Sequence, residues 1–269
     1  MIAVELRKLL RRHRTWVTIL LLDALPTLVA VLLAFTDLAP RPGEGPVFLS
    51  AVLSNGSLFP LAALAIVLPL FLPIAVAVVA GESVAGEAQA GTLRYLLVRP
   101  VGRTTLLVAK LIAVVAFVLL AVVVVAVTAY LVGIALFGVG TLEATTVSGT
   151  VLTPSQIFGR TLLAIGYVTL SMLGVAAIAL FLSTVVDTPL AAALGAMALL
   201  IASSLLLTLD AANVLSPYLP TRYWLSFVDL FRDPIRWREI TRGIGLQAVY
   251  VGVFLSAAWA NFASKDITT

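Results

Sequence analysis

Residues 111–137 read LIAVVAFVLLAVVVVAVTAYLVGIALF, a run of 27 residues without one charged side chain. An α-helix rises 1.5 Å per residue, so about 20 apolar residues cross the ~30 Å hydrocarbon core of a bilayer. Five more charge-poor segments lie around it. Residues 16–36 carry Asp23 as their only charge, and 58–80 carry none but hold Pro60, Pro69 and Pro73. Residues 161–186, 188–209 and 243–264 complete the set. Each is long enough to span, and each must be helical, because lipid satisfies no backbone hydrogen bond. A barrel would show alternating strands of about ten residues instead. The expected fold is an all-α membrane protein, a single domain over 1–269 with six transmembrane helices.

Composition agrees. Hydrophobic residues make up 61% of the chain and charged residues 11%, against roughly 25% charged in a soluble domain. A soluble domain of this length could not hide so much apolar surface. The chain has no cysteine, which excludes disulfides and thiolate chemistry. Its net charge of +4 is too small and too dispersed to indicate nucleic acid.

The first 15 residues are a different element. Ile2, Leu6, Leu9 and Leu10 fall on one helical face, while Arg7, Lys8, Arg11, Arg12 and Arg14 cover much of the rest. This pattern predicts an amphipathic helix lying at the membrane interface, and the same cations serve as a flank that fixes orientation. The apolar run after them is too long for a signal sequence and no small-residue cleavage site follows, so it is expected to stay as an anchor. With both termini cytoplasmic, the Lys/Arg count is ten inside and seven outside. That bias is weak, because Arg222, Arg232, Arg236, Arg238 and Arg242 all fall in the 211–242 segment. Trp224 and Trp237 mark this segment as an extracytoplasmic loop with short re-entrant or interfacial helices. Thr188 before Pro189 is expected to cap the fifth span, Thr104 to cap the third, and the three prolines to bend the second.

The largest cytoplasmic loop, 81–110, reads GESVAGEAQAGTLRYLLVRPVGRTTLLVAK. Gly91-Thr92 is expected to open a short helix that Pro100 closes, with Leu93, Leu96 and Leu97 on one face. At about 10 Å such a helix is marginal alone, so a membrane surface or a protein must pack against it. Read by itself, the loop is better taken as a solvated, positive-inside connection whose charges only hold topology.

The pattern in this loop resembles the ABC-2 family of permeases, the membrane-spanning subunits of bacterial ABC exporters. It consists of Glu82, Gly86-Glu87, Gly91-Thr92-Leu93, Leu96-Leu97, Pro100-Val101, Arg103 and a closing Lys110. The tail Phe262-Ala263-Ser264-Lys265-Asp266-Ile267 is similar to the family's ending. The resemblance implies a coupling helix between spans 2 and 3, seated on a separate P-loop ABC ATPase present in two copies. It also implies a second permease, identical or related, and export across the cell membrane. ATP and magnesium would be bound by the partner, with no cofactor in this chain. The residues it places at the ATPase are Glu82, Glu87, Gly91, Thr92, Arg94, Arg99, Pro100 and Arg103.

Absences fit that division of labour. No G-x-x-x-x-G-K-[ST] occurs, so the chain has no phosphate-cradling loop of its own. No H-E-x-x-H occurs, and the single histidine, His13, lies in the basic flank. Catalysis by this chain alone is not expected, nor a metal site. Asp23 has two readings, a contact in the translocation path or a structural hydrogen bond to a hydroxyl-bearing span residue. Two rival functions are an ion-gradient-driven secondary transporter and a non-transporting membrane scaffold.

Overall fold

Proline and glycine placement cuts the apolar runs into their actual helices. The structure, a computed structural model, describes residues 2–36, 55–91, 102–138, 144–145, 151–210 and 213–264. Helix α1 (Ile2–Arg11) is followed after one residue by α2 (His13–Phe35). A 3₁₀ turn, Gly56–Leu58, leads into α3 (Phe59–Val67), and α4 (Phe71–Gln89) follows. Then come α5 (Arg103–Phe137), α6 (Pro154–Val185), α7 (Pro189–Leu206) and α8 (Trp237–Ser264). Six of these, α2 and α4 to α8, are long and apolar enough to cross a membrane. The only pairing of extended chain among the described residues is two residues long, Ala144–Thr145 against Val151–Leu152.

The second apolar run differs from the single bent helix expected over 58–80. It is two helices, broken at Leu68–Leu70. Pro69 sits in the break, where its missing N–H and its ring end α3. Pro60 and Pro73 fall in the first turns of α3 and α4, where no intrahelical donor is needed. The expected 81–110 loop is also shorter than its bounds. Helix α4 runs on to Gln89, and α5 starts at Arg103. Ala90 caps α4 and Gly91 follows with φ +66°, the left-handed stop that glycine adopts at least cost. Thr92, Arg94, Arg99 and Pro100, with the short helix expected around them, lie outside the described residues.

Other boundaries shift for local reasons. Helix α6 begins at Pro154 rather than near 161, because Thr153 and Gln156 form a reciprocal capping box. Helix α8 begins at Trp237 rather than 243. Thr188 does precede Pro189 at the start of α7, but its side chain makes no capping bond. Thr104 is not the cap of α5. Gly102 holds that position, and Thr104 Oγ1 instead accepts from Trp259 Nε1 at 3.0 Å.

Helix α6 is the centre of the bundle and packs against α4, α5, α7 and α8. Helix α2 packs on α5, and α3 fits between them through the meeting of Gly56 and Gly133. A Cβ on Gly133 would fall 2.3 Å from the Gly56 carbonyl oxygen and 2.6 Å from Phe59 Cβ. The core is Ala, Val and Leu with Phe59, Phe117 and Phe227 fully enclosed. The outer surface is apolar too. Leu20, Leu21, Leu131, Leu190 and Val249 are each at least 60% exposed.

The bundle has two distinct ends. Side-chain contacts bring together the N-terminus of α5, the C-termini of α4 and α8, and helix α1. At the other end the 213–236 segment folds down onto α6, α7 and α8. Within the 211–242 segment, for which short re-entrant or interfacial helices are expected, the described residues form two short 3₁₀ helices, Ser216–Tyr218 and Trp224–Phe231. Trp224, Phe227, Leu230 and Phe231 are buried. Its carbonyls are met by side chains from the long helices. Tyr167 donates to Tyr223 O at 2.7 Å, Gln247 to Pro220 O at 2.8 Å, and Arg160 to Arg232 O at 2.9 Å.

Candidate functional site: a charged cavity at one end of the bundle

An irregular helix end in apolar surroundings needs partners for its charges, and here they come from far along the chain. Glu82 and Glu87 lie five residues apart on the last turns of α4. Glu87 stands between two lysines. Lys110 Nζ of α5 is 2.7 Å from one carboxylate oxygen, and Lys8 Nζ of α1 is 3.2 Å from the other. The Lys110 side chain is 2% exposed and that of Glu87 10%. Lys110 also donates to the Ser83 carbonyl. Burial of this kind is stable only when the ammonium is paired and its other protons have acceptors.

Glu82 gathers a second pair of cations. Arg12 Nη1 lies 3.5 Å and Arg14 Nη1 3.3 Å from its two oxygens. The consecutive carboxylates of α4 thus tie together α1, the start of α2 and the start of α5. They border a cavity of about 610 Å³, whose wall also includes Glu5, His13, Gln89, Val114 and Pro189. Among the described residues no three metal-ligating side chains come together.

Deeper in α4, Ser183 of α6 enters the helix's own hydrogen-bond ladder. Its hydroxyl donates to the Gly81 carbonyl at 2.6 Å and accepts from the Val84 and Ala85 amides at 3.1 and 2.9 Å. Insertion of a side chain into the i→i−4 ladder is one of the causes of helix bending, and here it falls beside Glu82, where the charged part of α4 begins.

Of the residues expected at a partner ATPase, Glu82 and Glu87 line this cavity, and both face the chain's own cations. Gly91 ends α4 nearby. Arg103 stands apart from them. Its Nη1 donates to the carbonyls of Phe262 at 3.3 Å and Ala263 at 2.6 Å, where a cation meets the last orphan carbonyls of α8. Asp23 lies elsewhere, half-buried between α2 and α5, and accepts a hydrogen bond from Thr128.

Sequence reasoning missed Lys8, Arg12, Arg14 and Ser183 as members of this cluster. Lys110 carried a usable signal: a lysine opening a 27-residue apolar run must find a carboxylate, and Glu87 is the nearest one on an adjoining helix. Nothing local pointed to Ser183.

These features define a class: a polytopic helical bundle with an apolar exterior, a charged, cavity-bearing end and an aromatic, tightly capped opposite end. The chain belongs to the DUF2705 family, described as proteins of unknown function, whose family model matches residues 47–268. The match takes in Glu82, Glu87, Lys110 and Ser183 and begins after α1 and α2. A comparison with curated proteins finds no match.

Proposed function

We propose that this chain is the permease subunit of an ABC exporter, driven by a separate ATPase. The observation that carries the reading is the construction of α4. It runs without a break from the apolar zone to Gln89 and is clamped there to α1 and α5 by Glu82 and Glu87. Residues 92–101 join the end of this clamped helix to the start of α5. A push on that connection is therefore delivered to two long helices at once, and Ser183 supplies the point about which α4 articulates. The ABC-2 pattern in the same connection supports an ATPase as the source of the push.

In this reading the charged end faces the cytoplasm, with both termini on that side. Helix α1 lies at the interface, where Ile2, Val4 and Leu10 are exposed beside Arg7 and Arg11. Glu82 and Glu87 act as positioning residues that hold the lever, Arg103 ties the start of α5 to the end of α8, and Arg94 and Arg99 with Gly91, Thr92 and Pro100 belong to the docking segment. Two permeases and two ATPases make the working assembly, with ATP and magnesium on the partner.

The test is purification of the tagged full chain in mild detergent and in nanodiscs, with mass spectrometry of what is retained. A P-loop ATPase should co-purify near one-to-one and be lost in the Arg94→Glu/Arg99→Glu variant. Transport in vesicles that proceeds on an ion gradient without ATP would replace this reading with a secondary transporter, and retention of partners without any transport would leave a scaffold.

A further inference from the structure

The charged cavity continues into an apolar one. A smaller hollow of about 270 Å³ shares Arg14, Glu82, Gln89 and Pro189 with it. The rest of its wall is formed by Val78 of α4, Thr188 just before α7, and Leu190 and Ala193 of α7. Val78 is 40% and Leu190 68% exposed, so this part is an open groove between two long apolar helices. The two halves demand different chemistry from one occupant.

Arg12 and Arg14 set the polar demand. They share the single carboxylate of Glu82 at 3.5 and 3.3 Å, and their side chains are 48% and 86% exposed. A guanidinium has five donors in a planar fork, and one carboxylate contact leaves others for a second anion. The groove sets the apolar demand, because a hydrocarbon chain is what covers Val78 and Leu190 at lowest cost. We infer that this composite hollow binds one anionic phospholipid, its phosphate at Arg12 and Arg14 and an acyl chain laid over Val78 and Leu190 between α4 and α7.

A free phosphate would satisfy only the cationic half. A zwitterionic lipid would bring an ammonium group toward the same arginines. An anionic headgroup attached to acyl chains satisfies both halves, and basic recesses between spanning helices favour such headgroups. The inference is independent of the transport reading. It requires only that the long apolar helices sit in a bilayer.

Native mass spectrometry of the full chain, titrated with phosphatidylglycerol, phosphatidylcholine or glycerol phosphate, tests it. Phosphatidylglycerol should be retained about tenfold better than phosphatidylcholine, on the order of what one or two surface cations contribute. Glycerol phosphate should not be retained. Arg14→Gln, with the melting temperature followed alongside because Arg14 also pairs with Glu82, should remove much of the selectivity, and R12Q/R14Q should abolish it. Leu190→Trp should weaken both lipids alike by filling the groove. Equal retention of the two lipids by the unaltered chain, or selectivity that survives R12Q/R14Q, would overturn the inference. Retention of glycerol phosphate as strong as that of phosphatidylglycerol would make this a free-anion site instead. Disulfide capture between Leu190→Cys residues of two chains, with lipid excluded, would give the groove to a second copy and also overturn it.

Discussion

An ammonium group with 2% of its side chain exposed at the head of an apolar helix is stable only while its carboxylate stays in place. Removing one member of such a pair leaves a buried charge and costs about 3 kcal/mol or more, whereas replacing both can be close to neutral. Lys110→Met should therefore lower the melting temperature of the detergent-solubilised chain markedly, and K110M/E87L should recover most of the loss. A double variant no more stable than K110M would show that Glu87 draws its stability from Lys8 instead. Asp23 calls for a smaller effect. Its partner is Thr128, and hydrogen bonds between helices in a bilayer average roughly 0.6 kcal/mol. Asp23→Asn should keep stability within about 1 kcal/mol and leave transport intact; lost transport with intact folding would assign Asp23 to the translocation path. At this scale the sequence was legible in part. Glu82 and Glu87 stood out by their place in a recognisable pattern, but their partners did not, since Lys8 and Glu87 are 79 residues apart and only packing joins them.

At the level of elements, two contacts decide how α3 and α4 sit. The Gly56–Gly133 meeting is between backbones, so no rotamer change can relieve an added methyl group. Gly133→Ala should destabilise by about 1–3 kcal/mol, as overpacking does, read as a fall in melting temperature. Ser183 holds three backbone groups of α4. Net worth near 1 kcal/mol for each hydrogen bond predicts that Ser183→Ala costs about 1–3 kcal/mol and speeds amide exchange at Val84 and Ala85. Unchanged exchange there would mean that α4 closes its own ladder and has no articulation at this point. Helix existence was legible from run length alone, because an uncharged stretch of 20 or more residues needs no partner to declare itself. Helix ends were less so. The α4 extension to Gln89 carries only a short stripe of small apolar residues, Val84, Ala85 and Ala88, between its glutamates, and Lys8, Lys110 and Ser183 hold it in place. The 216–232 turns were likewise hidden, since the side chains that satisfy them come from α6 and α8.

For the molecule as a whole, the absence of cysteine makes topology directly measurable. In the proposed orientation, an impermeant maleimide should label Arg236→Cys in intact cells and Glu5→Cys only after permeabilisation. Labelling of both from outside would break the assignment of α1 and the 213–236 segment to opposite faces. The six apolar helices and the shared end of α1, α4, α5 and α8 together give the bundle its polarity, and only the first of these could be read without coordinates. The ion pairs of Glu82 and Glu87 also bear on how the chain is made. Synthesis proceeds from the N-terminus at about 5–20 residues per second, so α1 waits on the order of ten seconds before its carboxylates emerge. During that interval its cations have only lipid headgroups and water to meet. When α4 arrives, the pairs can close only if its end is delivered to the side where α1 has been waiting. A chain that inserted its second run the wrong way round would present two glutamates to the far side and leave Lys8, Arg12 and Arg14 without them. The same ion pairs that clamp α4 in the folded chain can therefore form only when its charged end and α1 share one side.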